Sequence, residues 1–280
     1  MKLSKMRLLI ILLLIFSCRP KEFESLSSQI NDRPVEITEI KFQTILDSAA
    51  LNGSILIFDE STNQFHSNDF EWSNTGQLPA STFKIPNSII ALETGVVDSD
   101  TSILKWDGEP RRFESWEEDM TLREAFLRSC LPCYREIART VGLERMKEMT
   151  SKLEYGNLKF DSTNLDLFWV QGESTITPFE QIDFLRRIAN SDLAISNRTD
   201  EFIKKIMILE ENDSFTLRAK TGWSIVDDHD NGWFVGYLTI QDSNYFFATN
   251  VEPGEGFDMD DFSRIRKEVT MAAFKALEVI

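Results

Sequence analysis

Ser81-Thr82-Phe83-Lys84 sets a hydroxyl and an amine three residues apart. On a helix, positions i and i+3 share one face, so Lys84 Nζ can reach Ser81 Oγ and serve a nucleophilic serine as its base. Pro79-Ala80 comes before and an apolar helical run after, which puts the serine near a helix N-terminus, where free N–H groups and the positive dipole end face any developing oxyanion. Alone, S-x-x-K is weak: composition supplies about one match in a chain of this size, and Ser102-Ile103-Leu104-Lys105 is a second. Either one alone reads as a solvated surface pair. Support comes from Lys220-Thr221-Gly222, the chain's one K-T-G, at the end of a predicted strand. There a lysine and a hydroxyl can hold a carboxylate, and glycine lets substrate come close to the backbone.

Composition narrows the alternatives. The 280 residues include two histidines, His66 and His229, and three cysteines, Cys18, Cys130 and Cys133, too few for the usual zinc sets or a histidine-based triad. No metal site is expected, and both histidines read as solvated residues of Asn/Asp-rich turns. A formal net charge of −16 with no basic block excludes nucleic acid as a partner. A hydrophobic content of 42% is enough for a real core.

The elements that must position these residues are legible in outline. Gly53 to Phe58 reads as a buried strand, and from Ser81 to about Ile208 the apolar residues recur at three and four, the helical spacing. Thr177-Pro178-Phe179-Glu180 is a capping box that opens a helix with Phe179, Ile182, Leu185 and Ile188 as its buried stripe. Thr216–Thr221, Trp233–Ile240 and Tyr245–Val251 read as a meander with turns at Asn231-Gly232 and Gln241 to Asn244, and Phe262, Ile265, Val269, Ala272, Ala276 and Val279 mark a last helix. The expected class is α+β: an antiparallel sheet flanked by N- and C-terminal helices, built from both ends of the chain (about 35–80 and 209–280), with an inserted all-helical domain (about 81–208).

Further motifs stand between the first two: Ser129-Cys130-Leu131, Tyr155-Gly156-Asn157 and Phe168-Trp169-Val170. With Trp106-Asp107-Gly108, Trp116-x-x-Asp119, Lys220-Thr221-Gly222-Trp223, Gly232 to Gly236 and Arg266-Lys267, they run in order from Gly53 to Ile280, and the chain closely resembles the class D, oxacillinase-type serine β-lactamases. The resemblance implies hydrolysis of β-lactam antibiotics through a Ser81 acyl-enzyme. Lys84 would be carboxylated by carbon dioxide or bicarbonate, the only auxiliary implied, and would act as general base; Trp169 would hold that carbamate and Ser129 would pass a proton to the leaving nitrogen. The backbone N–H groups of Ser81 and Trp223 would form the oxyanion hole, and Lys220, Thr221 and Arg266 would bind the substrate carboxylate beside Gly222. Leu158 would line the deacylation pocket, and Tyr155, Gly156 and Asn157 form a structural motif. One departure stands out: Leu131 takes the place where the family usually has valine beside the modified lysine.

Two related readings acylate the same serine and deacylate slowly, a penicillin-sensing domain and a cell-wall peptidase. Cys130-Leu131-Pro132-Cys133 also has the C-x-P-C form of thiol–disulfide oxidoreductases, which requires a strand leading into it; the preceding residues look helical. A local disulfide or reduced buried thiols are the other readings of that pair.

At the front, Lys2, Lys5 and Arg7 precede nine apolar residues, Leu8 to Phe16, far short of the roughly 20 that span a bilayer. Residues 1–17 read as an export signal. Ser17-Cys18 resembles a lipobox that would lipidate Cys18, which places the exported chain in the bacterial envelope, periplasmic or lipid-anchored at the outer membrane; an ordinary cleaved signal is the alternative. Residues 18–34 read as a flexible tether and 35–280 as the catalytic domain. Nothing in the sequence sets an oligomeric state.

Overall fold

The computed structural model describes residues 33–280; the export signal, Cys18 and most of the tether lie outside them. In chain order the elements are β1 (Val35–Thr38), α1 (Ile40–Ser48), β2 (Leu51–Asp59), β3 (Gln64–Ser67), α2 (Phe70–Ser73), a 3₁₀ turn (Ala80–Phe83), α3 (Lys84–Glu93), β4 (Ile103–Leu104), β5 (Met120–Thr121), α4 (Leu122–Leu127), α5 (Leu131–Val141), α6 (Leu143–Leu153), α7 (Pro178–Ala189), α8 (Asn197–Ile206), β6 (Ile208–Glu211), β7 (Thr216–Val226), β8 (His229–Ile240), β9 (Ser243–Pro253) and α9 (Phe262–Ala276). Seven strands form one sheet in the order β1-β3-β2-β9-β8-β7-β6. Strands from the front of the chain pair with the C-terminal meander, β2 against β9. One edge departs from the antiparallel rule, because β1 pairs parallel with β3.

Both faces of the sheet are covered, which explains why its central strands are continuously apolar rather than alternating. Period two sorts their side chains. Ile55, Ile57, Phe234, Leu238, Phe247 and Val251 meet Phe42 and Leu46 of α1 and Val269, Ala273 and Phe274 of α9. Leu56, Phe58, Trp233, Val235, Phe246 and Ala248 face the helical part, whose core includes Phe83, Ile89, Tyr134 and Phe184. That inserted part is mainly helical but not all-helical: β4 and β5 form a small hairpin within it, and residues 154–177 connect α6 to α7 with no long helix.

Three local expectations change. The β7–β8 turn is Asp227-Asp228, both left-handed (φ 49° and 62°), a two-residue loop of the primed kind that suits strand twist. Asn231-Gly232 lies inside β8. Asn231 is buried there and trades side-chain hydrogen bonds with Asn250, and a Cβ on Gly232 would sit 2.7 Å from Phe262 Cζ. His66 is on β3, its Nδ1 2.8 Å from Glu39 Oε1, rather than in a turn. The buried face of α9 includes Arg266 and Thr270, polar residues that a hydropathy stripe omits, in place of Ile265 and Ala272.

Equilibrium urea unfolding distinguishes a buried Gly232 from a turn glycine. Gly232→Ala should lose about 1–3 kcal/mol through overpacking. Asp228→Gly should hold or gain stability, since glycine removes a left-handed penalty of about 1 kcal/mol. The reverse ranking would return the turn to Asn231-Gly232.

Candidate active site

The Ser81 segment carries its own strain. Ala80 adopts φ 50° immediately before Ser81, a left-handed conformation that costs about 1 kcal/mol for a residue with a Cβ. Burial and hydrogen bonds hold it. Thr82 Oγ1 donates to the Pro79 carbonyl (2.6 Å), receives from Gln181 Nε2 (2.8 Å) and lies 3.0 Å from the Tyr155 hydroxyl. Tyr155 therefore braces the turn. Gly156 is left-handed (φ 60°), and a Cβ there would meet the Thr175 carbonyl at 2.6 Å; Asn157 bridges to Thr175 through the backbone.

Lys84 opens α3, fully buried, and its Nζ donates to Ser81 Oγ at 2.9 Å. Burial lowers its pKa from 10.5 to about 7. The Tyr134 ring stands 5.3 Å from the amine, and the Tyr134 hydroxyl is 2.7 Å from Ser88, one turn along α3. Phe83, the neighbour of Lys84, stacks on Trp169 at 5.3 Å between ring centroids. The Trp169 indole N–H is buried and has no acceptor among the described residues. A buried donor without a partner costs about 1–3 kcal/mol, so its persistence asks for an acceptor.

Ser129 ends α4 in the place glycine usually holds. Its N–H donates to Phe126 O (3.1 Å) and that of Cys130 to Ala125 O (2.9 Å), the Schellman pair, with Ser129 left-handed at φ 55°. Serine is there at a conformational cost because its hydroxyl accepts a 2.6 Å hydrogen bond from Lys220 Nζ. Lys220 is buried, and its pKa is held well below the ordinary lysine value by burial first, then by the charges of Lys84, Arg266 and Lys267.

Strand β7 supplies the opposite wall. Its partner β6 ends its pairing at Arg218, and Ala219 N–H reaches Met207 O on that same side. Backbone direction alternates along a strand, so the N–H groups of Thr221 and Trp223 point to this side too, beyond the end of β6. The Thr221 carbonyl on that edge receives Lys220 Nζ at 2.9 Å. A Cβ on Gly222 would press on Thr82 Cγ2 and Trp233 Cβ at 3.2 Å. That glycine lets β7 pack on the turn that carries Ser81, so protein rather than substrate accounts for the crowding. Arg266 is buried with Nε on Phe262 O (2.7 Å) and Nη1 on the Gly222 carbonyl, and burial lowers its pKa to about 10.

These elements enclose a cleft of about 410 Å³ lined by Ser81, Ser129, Leu131, Thr221, Gly222, Trp223 and Arg266, with Arg112, Phe113 and Trp116 at the helical side. Lys84 and Lys220 are not in its lining; each lies behind the serine it bonds. The cleft presents two hydroxyls and buries their amines. Leu158 and Trp169 also fall outside the lining, Leu158 half-buried against the core and Trp169 fully buried. The second S-x-x-K has the bland role. Ser102 caps backbone N–H groups of Asp98 and Ser99, and Lys105, 77% exposed, pairs with Asp119. The C-x-P-C pair is a disulfide at the start of a helix and follows helix α4, with no strand feeding it. Sequence reading did not find Thr82, Tyr134 or Gln181. Ser88 at i+4 from Lys84 was a usable signal for a polar lining to that helix face; a glutamine and a tyrosine on other helices gave none.

A serine with a buried lysine partner, a second serine–lysine pair and a free strand edge come together here, the set of groups that serine acyl transfer calls for. The family described as the penicillin binding protein transpeptidase domain matches residues 49–275. The chain is 37% identical to β-lactamase OXA-48 of Klebsiella pneumoniae over 81% of this chain and 84% of that protein. It is 35% identical to the probable β-lactamase YbxI of Bacillus subtilis over 82% of each. The crystal structure of the class D β-lactamase YbXI from Nostoc superposes with a TM-score of 0.81 at 40% identity, covering 86% of this chain and 99% of that one. The C-terminal domain of the Bacillus licheniformis BlaR penicillin-receptor shares the fold at TM-score 0.80 and 22% identity. The chain belongs to the class D serine β-lactamases, within the penicillin-binding transpeptidase family.

Burying Lys84 has a thermodynamic signature. A pKa lowered from 10.5 to about 7 penalises the folded state on the order of 5 kcal/mol below pH 7 and progressively less as pH rises toward 10.5, because over that window the unfolded chain binds the extra proton. Lys84→Met should therefore unfold at higher urea than the wild type at pH 6 in carbonate-free buffer, with most of that gap gone by pH 9.5. A gap independent of pH would contradict a buried, titrating amine.

Proposed function

We propose that this chain hydrolyses β-lactams by acylation and deacylation of Ser81, with Lys84 in its carboxylated form as the base for both steps. The observation that carries this is the Lys84 amine, buried, 2.9 Å from Ser81 Oγ and held near pKa 7. A large neutral fraction at pH 7 is what reaction with carbon dioxide requires: the amine lone pair bonds carbon and one N–H proton leaves to water. Bound there, the carbamate supplies a carboxylate-like base. The unpartnered Trp169 indole N–H beside Phe83 is a donor suited to such an anion.

The chain's own residues do the remainder. Ser81 Oγ gives up its proton and attacks the lactam carbonyl. The Trp223 N–H on the free edge of β7, together with the Ser81 N–H, stabilises the oxyanion. Ser129, bonded to the depressed-pKa Lys220, delivers a proton to the leaving nitrogen. Thr221 and Arg266, with Lys220 behind them, attract the substrate carboxylate into a cationic cleft within a protein of net charge −16. Leu131 lines the same cleft as Ser81 and would set the room for deacylating water. We further propose export through residues 1–17 and a lipid anchor at Cys18.

The acid limb of kcat/KM should rise with pH through about 7, as Lys84 loses its proton. Lys84→Ala should lose roughly a hundredfold or more in turnover of a chromogenic cephalosporin, with no rescue by bicarbonate, while bicarbonate raises wild-type turnover. Undiminished turnover in Lys84→Ala overturns the mechanism.

Intact-mass spectrometry separates hydrolase from sensor or peptidase. Penicillin should add its mass to Ser81 transiently, with return to the free mass within seconds. A mass increment lasting many minutes would make this a penicillin-binding receptor or a transpeptidase, and Leu131→Val would then be expected to shorten it.

A further inference from the structure

Cys130 and Cys133 form a disulfide with Cα atoms 5.4 Å apart, and neither the serine chemistry nor the sheet uses it. It stands between two hollows. Ser129 and Leu131, the neighbours of Cys130, line the catalytic cleft. Both half-cystines line a second groove of about 600 Å³, walled also by Trp106, Pro132 and Arg135, that includes neither Ser81 nor Ser129; Trp116 is the partition common to both.

The backbone ties the bridge to the site. Cys130 N–H closes the Schellman motif that holds Ser129 at φ 55°, and Cys130 is also the N-cap of α5, its sulfur 3.2 Å from Cys133 N–H. The bridge fastens the end of one helix to the first turn of the next, with Ser129 held at the junction.

We propose that the Cys130–Cys133 disulfide is a reversible modification site at which a dithiol, entering by the second groove, slows acylation by releasing Ser129 from its hydrogen bond with Lys220. This rests on the role given to Ser129 above. A thiolate of the dithiol attacks Cys133 Sγ, forming a mixed disulfide and expelling the Cys130 thiolate. The second thiol of the reductant then displaces Cys133. Two electrons pass from the dithiol to the bridge, the dithiol ends as a disulfide, and with protons from the two reductant thiols the chain ends with two cysteine thiols.

Exposure and electrostatics agree on the sulfur attacked. Both sulfurs belong to residues that line the groove, but Cys133 is half-buried while Cys130 is 1% exposed. Cys130 Sγ sits at the N-terminus of an eleven-residue helix with an N–H directed at it, which stabilises the departing thiolate. Thiol–disulfide enzymes need the sulfur at the helix N-terminus to be the accessible one; here it is the hidden one, so the bridge is built to be acted upon.

The test uses the folded, oxidised chain. Dithiothreitol is applied under native conditions, thiols are trapped with iodoacetamide and mapped to Cys130 and Cys133, and single-turnover acylation by penicillin is measured alongside decay of preformed acyl-enzyme. On reduction, acylation should fall at least about tenfold, the size of one lost charge-assisted hydrogen bond in the transition state. Deacylation should be unchanged, and reoxidation should restore the first rate. Cys133→Ser should start at the reduced rate and ignore dithiothreitol; if it does not fold, the reversibility of the wild type decides alone. A bridge that resists dithiothreitol in the folded chain, or complete reduction with acylation unaltered, overturns the proposal. Failure of the oxidised chain to acylate at all would appear before any reductant is added and would strike the Ser81 reading itself.

Discussion

An amine kept from water is the constraint around which this molecule is arranged. Lys84 lies at zero exposure with the Ser81 hydroxyl as its hydrogen-bond partner among the described residues. Its protonated form therefore meets a desolvation cost that no counter-charge among the described residues offsets. Many fully buried aromatic and aliphatic side chains surround that position, Phe83, Tyr134, Phe168 and Trp169 among them. A looser core would admit water and return the lysine toward its ordinary pKa. The packing of the helical part is thus a statement about proton affinity as much as about stability.

The same logic extends to the two strained backbone positions. Ala80 and Ser129 are both left-handed without being glycine, and each adjoins or carries a hydroxyl bonded to a buried lysine. Both are over-determined by their surroundings: Ala80 by the Thr82–Tyr155–Gln181 cluster, Ser129 by a Schellman motif and a disulfide. The two serines meet across a cleft whose far wall is a strand edge, free there because β6 is short. Helix ends place the hydroxyls and the sheet places the peptide groups, so the chemistry falls at the seam between the two.

Much of this was legible in the residues. Ser81 and Lys84 at helical spacing, a strand-borne Lys220-Thr221-Gly222, and the apolar runs of β2, β8 and β9 depend on local spacing, which sequence carries directly. What escaped depends on which residue meets which across the fold. Gly232 looked like a turn residue because glycine after asparagine usually is; its real neighbours are Phe262 and Arg266, thirty residues on. Arg266 and Thr270 broke the apolar stripe of α9, since one serves the cleft and the other bonds Thr249. Gln181, in a helix whose cap was read correctly, gave no sign that its amide would reach Thr82. The export signal and Cys18 lie outside the described residues.

The pairing of β2 with β9 joins Leu51–Asp59 to Tyr245–Pro253. Closing a loop of that length costs roughly 5 kcal/mol in chain entropy before any contact is made, and the central pair of the sheet cannot exist until the last strand has been synthesised. Such non-local pairing folds slowly. Through most of its synthesis the chain is an unfinished sheet with a helical middle, and the cleft that Ser81 shares with Trp223 and Arg266 closes only when the C-terminal strands and helix arrive.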